Sequence, residues 1–291
     1  MKDISWDIYQ IFLVVARNGG LSGAAIETGL SSPTLGRRIL ELEEAMAVPL
    51  FTRSQTGYRL TAQGETLFGQ LQPMEAAMRR VEDWRRSEIG GHVTIRVAAG
   101  TWGARLIADN IRAIVTERDP IRLEFTIGER RAQLVHREHH IGIRAVRPDE
   151  PSLASRRLGD VAYAPYRQKN ASDHLFERWI AVTETEAVSP YLQYPHRMHQ
   201  SAIAMTVDRA RSLLDLVRAG AGVAVLPCFV GDLEQALERA GPDIADLRHS
   251  QFLVSNSDDR ARREIRTVLD RIFKLYKSHS DLFAGKRPSR I

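Results

Sequence analysis

Apolar residues recur at helical spacing in the amino-terminal part of the chain and predict its first helices. The first helix carries its apolar face on Ile8, Ile11, Phe12 and Val15. It is expected to stop at Asn18, because the two glycines that follow tolerate the left-handed backbone of a helix end. Ser22 is predicted to cap a short second helix that runs through Thr28 and ends at Gly29.

A third helix is predicted where the stretch LSSPTLGRRILELEE begins, at residues 30–44. Ser32 is the expected N-cap and Pro33 the first helical residue, where proline needs no amide donor. The apolar face of this helix consists of Leu35, Ile39, Leu42 and Met46. Two short helices joined by a tight, glycine-containing turn predict a helix-turn-helix. Two short extended pieces around residues 55–57 then predict a hairpin, or wing.

The start of the third helix has the composition expected of a helix that enters DNA. In a helix-turn-helix the second helix enters the major groove by its N-terminal end, which requires small residues and a long cation. The residues that fit are Ser32, Thr34, Gly36, Arg37 and Arg38. Three acids, Glu41, Glu43 and Glu44, are expected to be held away from phosphate or turned to the protein. The alternative is an ordinary amphipathic helix with a solvated charged face.

A long helix is predicted from a cap at Thr61 to about Ser87. Its apolar residues step by four and three, at Leu67, Leu71, Met74, Met78 and Val81. This is the 3.5-residue period of two helices paired along a seam, and it predicts a dimer. The alternative is packing on its own domain, which is too small to cover a helix of roughly 25 residues. Pro73 should bend the helix, because proline removes a backbone hydrogen bond.

After two glycines at residues 90 and 91, predicted strands alternate with predicted helices. Strands are expected at residues 93–97, 121–127, 141–146, 179–184, 202–207, 222–227 and 251–256. Helices are expected at residues 106–115, 132–138 and 209–219, in a segment that ends at residue 240, and from residue 260. Such alternation predicts an α/β domain with a largely parallel sheet.

Charge and cysteine content narrow the possible classes of protein. The formal net charge is +5, but residues 1–88 contain 10 basic and 11 acidic side chains. Bulk charge therefore gives no argument for DNA binding, and only the placement of individual charges can. The single cysteine excludes an intrachain disulfide and a multi-cysteine metal site. The first apolar run, residues 11–16, is too short for a membrane span and follows no basic segment, so a cytoplasmic protein is expected.

Residues 3 to about 68 resemble the winged helix-turn-helix of the LysR-type transcriptional regulators. The resemblance rests on the segments FLVVARNGGLSGAA, LSSPTLGRRILELEEAMAVPLFTR and YRLTAQG. It implies a base-reading face at Ser32, Pro33, Gly36 and Arg37, with Arg53 on the wing, and Ser22 completes the candidate DNA-contacting residues. The family usually has glutamine at the position of Ser32 and often serine at that of Gly36. Direct readout of the bases is therefore expected to depend more on Arg37.

The same resemblance implies the organisation of the whole chain. A winged helix-turn-helix at residues 1–60 and a linker helix at 61–88 precede an effector-binding domain at 89–291 that resembles periplasmic binding proteins. Its first lobe is expected at about 89–160 and 258–291, and its second lobe at 161–257. The resemblance also implies a homodimer or homotetramer. The twofold axis then predicts double-stranded DNA with a dyad-symmetric site. RNA polymerase is a further expected partner, and no membrane is involved.

A candidate effector site follows the first strand of the α/β domain. Gly100, Thr101 and Trp102 begin the next helix, where free backbone donors favour an anion. The resemblance places Thr101, Arg144 and Thr206 around the cleft between the lobes. Arg144 lies in an apolar strand, and three interpretations of it remain open. It forms an ion pair with Glu129, it is exposed at the end of the strand, or it is available to bind the carboxylate of a ligand. On the last reading the effector is a small organic acid.

Other constellations give no argument for catalysis. Gly220 and Gly222 follow a predicted helix and are read as a helix stop, not a dinucleotide site. The cluster of His136, His139 and His140 has no cysteine or aspartate close by, so zinc is not expected.

Cys228 is read as a buried thiol, and the basic run at residues 260–290 as a solvated face with secondary phosphate contact as the alternative. No catalytic residue, metal or cofactor is predicted. The competing functions are a metabolite-binding protein or enzyme whose helical front serves only assembly, and a non-specific architectural DNA binder.

Overall fold

The computed structural model describes residues 4–54, 57–88, 91–129, 139–171 and 178–286. The chain divides into two compact units, Met1–Ile89 and Gly90–Ile291. Among the described residues, none of the helices has the length and apolar character that a membrane crossing requires.

The first unit consists of four helices and a two-stranded wing. In chain order these are α1 (Trp6–Asn18), α2 (Leu21–Thr28), α3 (Ser32–Met46), β1 (Phe51–Ser54), β2 (Gly57–Leu60) and α4 (Ala62–Glu88). The predicted apolar face of α3 is confirmed, since Leu35, Ile39 and Leu42 are fully buried and Met46 packs at the edge of the same core. Phe12, Leu13 and Val15 of α1 complete this core.

The N-caps predicted for α2 and α3 are displaced, by two residues and one residue respectively. Helix α2 begins at Leu21 after Gly20, so Ser22 lies inside the helix and is exposed. The N-cap of α3 is Ser31, whose Oγ accepts the N–H of Thr34 at 3.3 Å, and Ser32 and Pro33 are the first helical residues. Ser31 takes this role because its backbone is extended, as an N-cap requires.

The predicted helix ends in the first unit are confirmed. Gly19 and Gly29 adopt the left-handed backbone directly after α1 and α2. The start of the long helix is also confirmed, because Thr61 Oγ1 accepts the N–H of Gly64 at 3.0 Å. Pro73 lies inside α4 as expected.

The second unit contains the remaining elements. Its strands are β3 (Val93–Ala99), β4 (Ile121–Ile127), β5 (Ile141–Arg144), β6 (Leu153–Val161), β7 (Tyr163–Gln168), β8 (Trp179–Val182), β9 (Ile203–Val207), β10 (Ala224–Pro227), β11 (Leu237–Arg239) and β12 (His249–Asn256). Its helices are α5 (Thr101–Asp109), α6 (Ile111–Ile114), α7 (Pro190–Met198), α8 (Ala210–Arg218), α9 (Cys228–Gly231), α10 (Arg263–Ser278) and α11 (Ser280–Phe283).

The first lobe is built on a five-stranded sheet in the order β4-β3-β5-β12-β6. Strand β3 is parallel to β4 and β5, whereas β12 is antiparallel to β5 and β6. The expectation of a largely parallel sheet is therefore wrong for half of its ladders. Strand β12 comes back from the second lobe and runs against its neighbours, so the chain re-enters the first lobe's sheet at His249, before the expected residue 258.

The second lobe contains an antiparallel sheet in the order β10-β7-β11 and a parallel pair, β8 and β9. The prediction of a helix that ends at residue 240 is wrong beyond the first turn of that helix. Only α9 is helical there, and β11 then pairs with the end of β7. The helix expected at 106–115 is divided at Asn110 into α5 and α6, and the one at 132–138 lies outside the described residues.

The glycine at the start of α4 is predicted to be essential for the first unit. A Cβ at Gly64 would lie 2.2 Å from the carbonyl oxygen of Leu50, so Gly64→Ala should cost on the order of 1–3 kcal/mol. Gly69→Ala in the same helix meets nothing within 4 Å and should stabilise by about 0.5–1 kcal/mol. Thermal unfolding of the full chain by circular dichroism measures both, and equal midpoints for the two variants would contradict the argument.

Candidate functional site

The start of α3 presents small and basic side chains at the surface of the first unit. Pro33, Arg37 and Arg38 are exposed, and Ser32, Thr34 and Gly36 are partly buried. The Thr34 hydroxyl lies 2.8 Å from Ser31 Oγ, so it helps to close the first turn of the helix. Six of the predicted DNA-contacting residues therefore cluster at one end of one helix.

The small residue at position 36 also has a packing reason. A Cβ built at Gly36 would lie 3.3 Å from the Cδ1 of Leu21, the first residue of α2. Contacts this close are uncommon, so a larger side chain would require Leu21 to shift by a few tenths of an ångström. Gly36 thus lies close against the first residue of α2.

Glu41 lies one helical turn beyond the two arginines and pairs with both. Arg38 Nη1 lies 3.0 Å from Glu41 Oε2, and Arg37 Nε lies 3.7 Å from Glu41 Oε1. All three side chains are exposed, and such ion pairs contribute at most about 1 kcal/mol. The guanidinium groups are therefore oriented by Glu41 and can exchange it for a phosphate or a base.

Glu43 is turned to the protein, as expected for at least part of this acidic cluster. Its Oε1 accepts the N–H of Leu50 at 2.7 Å and the N–H of Phe51 at 3.0 Å. These two amides begin the wing, so Glu43 fixes the wing to α3. Arg53 lies in β1 opposite Tyr58, and its side chain is outside the described part of the chain.

The far end of the wing is held against the end of α1. The N–H of Tyr58 donates to the carbonyl oxygen of Gly19 at 2.9 Å. Gly57 has φ +124°, and a Cβ there would lie 2.4 Å from the same oxygen, so only glycine fits. Both ends of the described hairpin are therefore anchored through backbone N–H groups, one end by the Glu43 carboxylate and the other by the Gly19 carbonyl oxygen.

The apolar residues of α4 divide into two groups. Leu67 and Leu71 pack into the core of their own unit, so the expected seam does not begin with them. Met74, Met78 and Val81 are each about half exposed, at 51%, 45% and 52%. An apolar stripe is thus left open only on the second half of the helix.

In the second unit, three parallel strands end at the same edge of the sheet. Ala99 pairs with Ile127 and Ala98 with Gly142, so the ends of β3, β4 and β5 lie side by side. Ligands of open parallel sheets bind beyond such ends. Thr101, Glu129 and Arg144 follow or terminate these three strands.

Glu129 occupies the start of α5. Its Oε1 accepts the N–H of Thr101 at 3.0 Å, and both carboxylate oxygens lie 3.7 Å from the position of a Cβ on Gly100. The expectation that these backbone donors are free is therefore wrong. An internal carboxylate already takes the position at which a helix N-terminus favours an anion.

Trp102 connects the two lobes and is more than an apolar wall. Its indole N–H donates to the Tyr191 hydroxyl at 3.1 Å, and both side chains are buried. Tyr191 begins α7 in the second lobe and stacks on Tyr163 with ring centroids 4.9 Å apart. Burial, and next the charge of Glu129, hold the pKa of Tyr191 well above its usual value, so its hydroxyl remains protonated.

A second connection between the lobes starts from the same helix. Arg105 Nη2 lies 2.5 Å from Glu234 Oε1, and Arg218 of α8 lies 3.7 Å from the other oxygen of that carboxylate. Glu234 is mostly buried, so this pair is shielded more than a surface ion pair. Neither Tyr191 nor Glu234 carries a local sequence signal, since each acquires its partner only through the fold.

The other two predicted effector residues are placed differently. Arg144 is half-buried at the end of β5, opposite Phe252 of β12, so simple exposure does not describe it. Thr206 is exposed in β9, opposite Ala181. Within the described residues, no hydrogen bond joins Thr206 to Trp102, Glu129 or Tyr191.

The described histidines and the cysteine have structural positions. His140 is buried, and its Nδ1 accepts the N–H of Arg96 at 3.0 Å beside the strand pair β3 and β5. His139 Nε2 lies 2.7 Å from Thr126 Oγ1, and His136 lies outside the described residues. Cys228 is fully buried as expected, and burial raises the pKa of its thiol. Gly220 follows α8 with φ +77°, which confirms the helix stop.

Comparison with known proteins identifies the first unit. Residues 6–65 match the family described as bacterial regulatory helix-turn-helix protein, lysR family. The transcriptional regulator CrgA of Neisseria meningitidis is 26% identical over 89% of this chain and 93% of its own length. The first unit is therefore similar to the helix-turn-helix domain of the LysR family regulators. The small neutral protease regulatory protein of Streptomyces coelicolor is 35% identical, but over only 34% of this chain and 30% of that protein.

Solved structures agree with the two-part fold of this chain. The LysR family regulator CbnR covers 94% of this chain and 100% of its own, with a TM-score of 0.61 and 18% identity. The full-length CbnR complex with its target DNA gives a TM-score of 0.59 at 16% identity. The named relatives are regulatory proteins and not enzymes, in agreement with the sequence-based conclusion.

Proposed function

We propose that this LysR-type chain binds double-stranded DNA sequence-specifically and regulates transcription in response to a small effector held between its two lobes. The proposal rests mainly on the exposed, basic start of α3, which lies beside a wing that is fixed at both ends. A recognition helix needs that arrangement, because base readout requires a helix of fixed orientation in the major groove.

The DNA-contacting residues are proposed by role. Arg37 reads a base edge, with Ser32, Pro33 and Gly36 allowing close approach of the helix. Arg38, Arg53, Thr34 and Ser22 contact the backbone of the duplex. The exposed positions of Arg37, Arg38 and Ser22 support this division.

The protein acts as a homodimer or a higher homo-oligomer paired through α4. The open apolar stripe at Met74, Met78 and Val81 supports pairing, because such a face is costly to leave in water. Two copies related by a twofold axis require a DNA site with dyad symmetry. Contact with RNA polymerase in the cytoplasm completes the proposed role.

The proposed effector is a small organic acid that binds where β3, β4 and β5 end, against Gly100, Thr101, Trp102 and Arg144, with Thr206 on the second lobe. Glu129 supports this choice, since its carboxylate already fills the start of α5 as an acid would. The effector must displace Glu129 from the N–H of Thr101. Because the neighbouring Trp102 bonds Tyr191 of the second lobe, binding would then change how the lobes are joined.

A gel shift on the DNA upstream of the protein's own gene tests the proposal as a whole. A shift that survives excess random duplex supports a sequence-specific regulator. No shift at low salt would favour a metabolite-binding protein or enzyme, and equal affinity for random duplex would favour an architectural DNA binder.

Substitution of Arg37 and of Arg53 by alanine should weaken DNA binding in different ways. Arg37→Ala should cost about 1–3 kcal/mol on the cognate site and flatten sequence preference. Arg53→Ala should weaken cognate and random DNA alike and lower the salt slope by about one. Titrations of both duplexes at several salt concentrations separate the two, with Arg112→Ala on the second unit as control. An equal loss of preference in both variants would remove the division of roles.

Charges on the open stripe of α4 should prevent pairing. Met74→Glu with Met78→Glu brings like charges together across the proposed seam, so the mass in solution should fall to that of a monomer. Leu71 is unsuitable for this test because it is buried in its own unit. Ile26→Glu is the control, since Ile26 is 89% exposed in α2. Light scattering gives the mass, and an unchanged mass would place the interface elsewhere.

If the effector is an acid, substitutions at Glu129 and Arg144 should change the affinity for it in opposite directions. A thermal-shift screen of anionic, neutral and cationic metabolites supplies the compound. For an acid, Glu129→Gln should strengthen binding about fivefold or more, because a repulsive charge a few ångström away is worth at least about 1 kcal/mol. Arg144→Gln should weaken binding about tenfold. A cationic ligand would reverse both signs and exclude the acid.

A further inference from the structure

A second pocket lies on the first lobe, apart from the edge where β3, β4 and β5 end. Its volume is about 380 Å³. Strands β6 and β12 provide one side, where Leu253 pairs with Arg156 and Ser255 with Ala154. The first turns of α10 and the residues before them provide the other side, with Arg260 and Arg266.

The pocket has an excess of positive charge. It is lined by three arginines, Arg156, Arg260 and Arg266, and one acid, Asp270. Asp270 is engaged by Arg156, whose Nη1 lies 2.5 Å from its Oδ1 and whose guanidinium covers the Phe273 ring at 3.7 Å. Within the described residues, Arg260 and Arg266 form no ion pair. Two positive charges therefore remain for a ligand.

These arginines occupy a place where a helix disfavours them. Four arginines, at residues 260, 262, 263 and 266, lie around the N-terminus of the 16-residue helix α10. The positive end of the helix dipole repels cations and attracts anions within the first turn. A bound anion would satisfy the helix end together with Arg260 and Arg266, the two of these arginines that line the pocket.

A buried hydroxyl in the pocket points to the same ligand. Ser255 is 3% exposed, lies on the same face of β12 as Leu253 and lines the pocket. In the part of the chain that the structure describes, its hydroxyl makes no hydrogen bond. The hydroxyl therefore has no partner among the described residues, and the oxygen of an anion in the pocket would supply one.

We propose that this pocket binds the phosphate group of a small phosphorylated molecule. Guanidinium groups match phosphate oxygens with paired donors, and phosphate carries the charge that two arginines leave unbalanced. The volume is near the lower end of small-ligand sites, about 300–1,000 Å³. This site would take a ligand separate from the one in the cleft, and it stands whether or not the chain regulates transcription.

Calorimetric titration of the full chain with inorganic phosphate and with pyrophosphate tests the site, at constant ionic strength with chloride as reference. Arg260→Gln with Arg266→Gln should weaken binding at least about tenfold. Ser255→Ala should weaken it about threefold or more. The control is Arg112→Gln with Arg122→Gln, which removes two exposed arginines of the same unit away from the pocket.

The outcomes separate the possible sources of phosphate. Binding that is lost in the pocket variant and kept in the control supports the proposal, provided that both variants unfold at the wild-type temperature. Equal weakening in the two double variants would mean general attraction by positive charge and overturn it. Absence of phosphate and pyrophosphate binding in the wild type would also overturn it. Weaker binding of duplex DNA by the pocket variant alone would then assign the arginines to DNA.

Discussion

A buried hydrogen bond from the indole of Trp102 in the first lobe to the hydroxyl of Tyr191 in the second joins the two lobes across their shared apolar core. Each group would be an unsatisfied polar atom if the other moved away, at a cost of about 1–3 kcal/mol. Arg105 and Glu234 add an ion pair from the same helix. Helix α5 therefore contacts the second lobe at two points, and its first residue also binds Glu129.

The first unit achieves rigidity by different means. Its wing is positioned by a carboxylate on α3 and by the carbonyl oxygen at the end of α1, so main-chain groups carry most of the geometry. The surface arginines of α3 have only an exposed acid as partner. The scaffold is thus fixed, while the arginines proposed to contact DNA can reorient at little energetic cost. This combination lowers the entropy lost on binding without holding the arginines in a competing site.

Local signals predicted the parts of the fold that depend on neighbouring residues. The ends of α1 and α2 follow from Gly19 and Gly29, and the buried face of α3 follows from its periodicity. The N-cap of α3 was missed by one residue because Ser31 and Ser32 are equally good caps in sequence, and backbone geometry selects the first. Helix α9 stops early because residues 237–239 find partners in β7, a pairing that no local pattern reveals.

The candidate sites also differ in whether a local sequence signal or only the folded structure brings their residues together. Residues at the start of α3 were recognised because small and basic side chains fall within one short segment. The engagement of Thr101 by Glu129 was not foreseen, since it joins the ends of two strands that are neighbours only in the sheet.

The burial of Cys228 has a practical consequence for following conformational change by fluorescence. The only thiol of the chain is enclosed in the second lobe beside Tyr166, and its raised pKa keeps it protonated. Maleimide reagents need an accessible thiolate, so the native protein should behave as if it had no cysteine. A cysteine introduced at an exposed position such as Thr206 would then be labelled alone. Fluorescence could follow the second lobe without any need to remove the native residue.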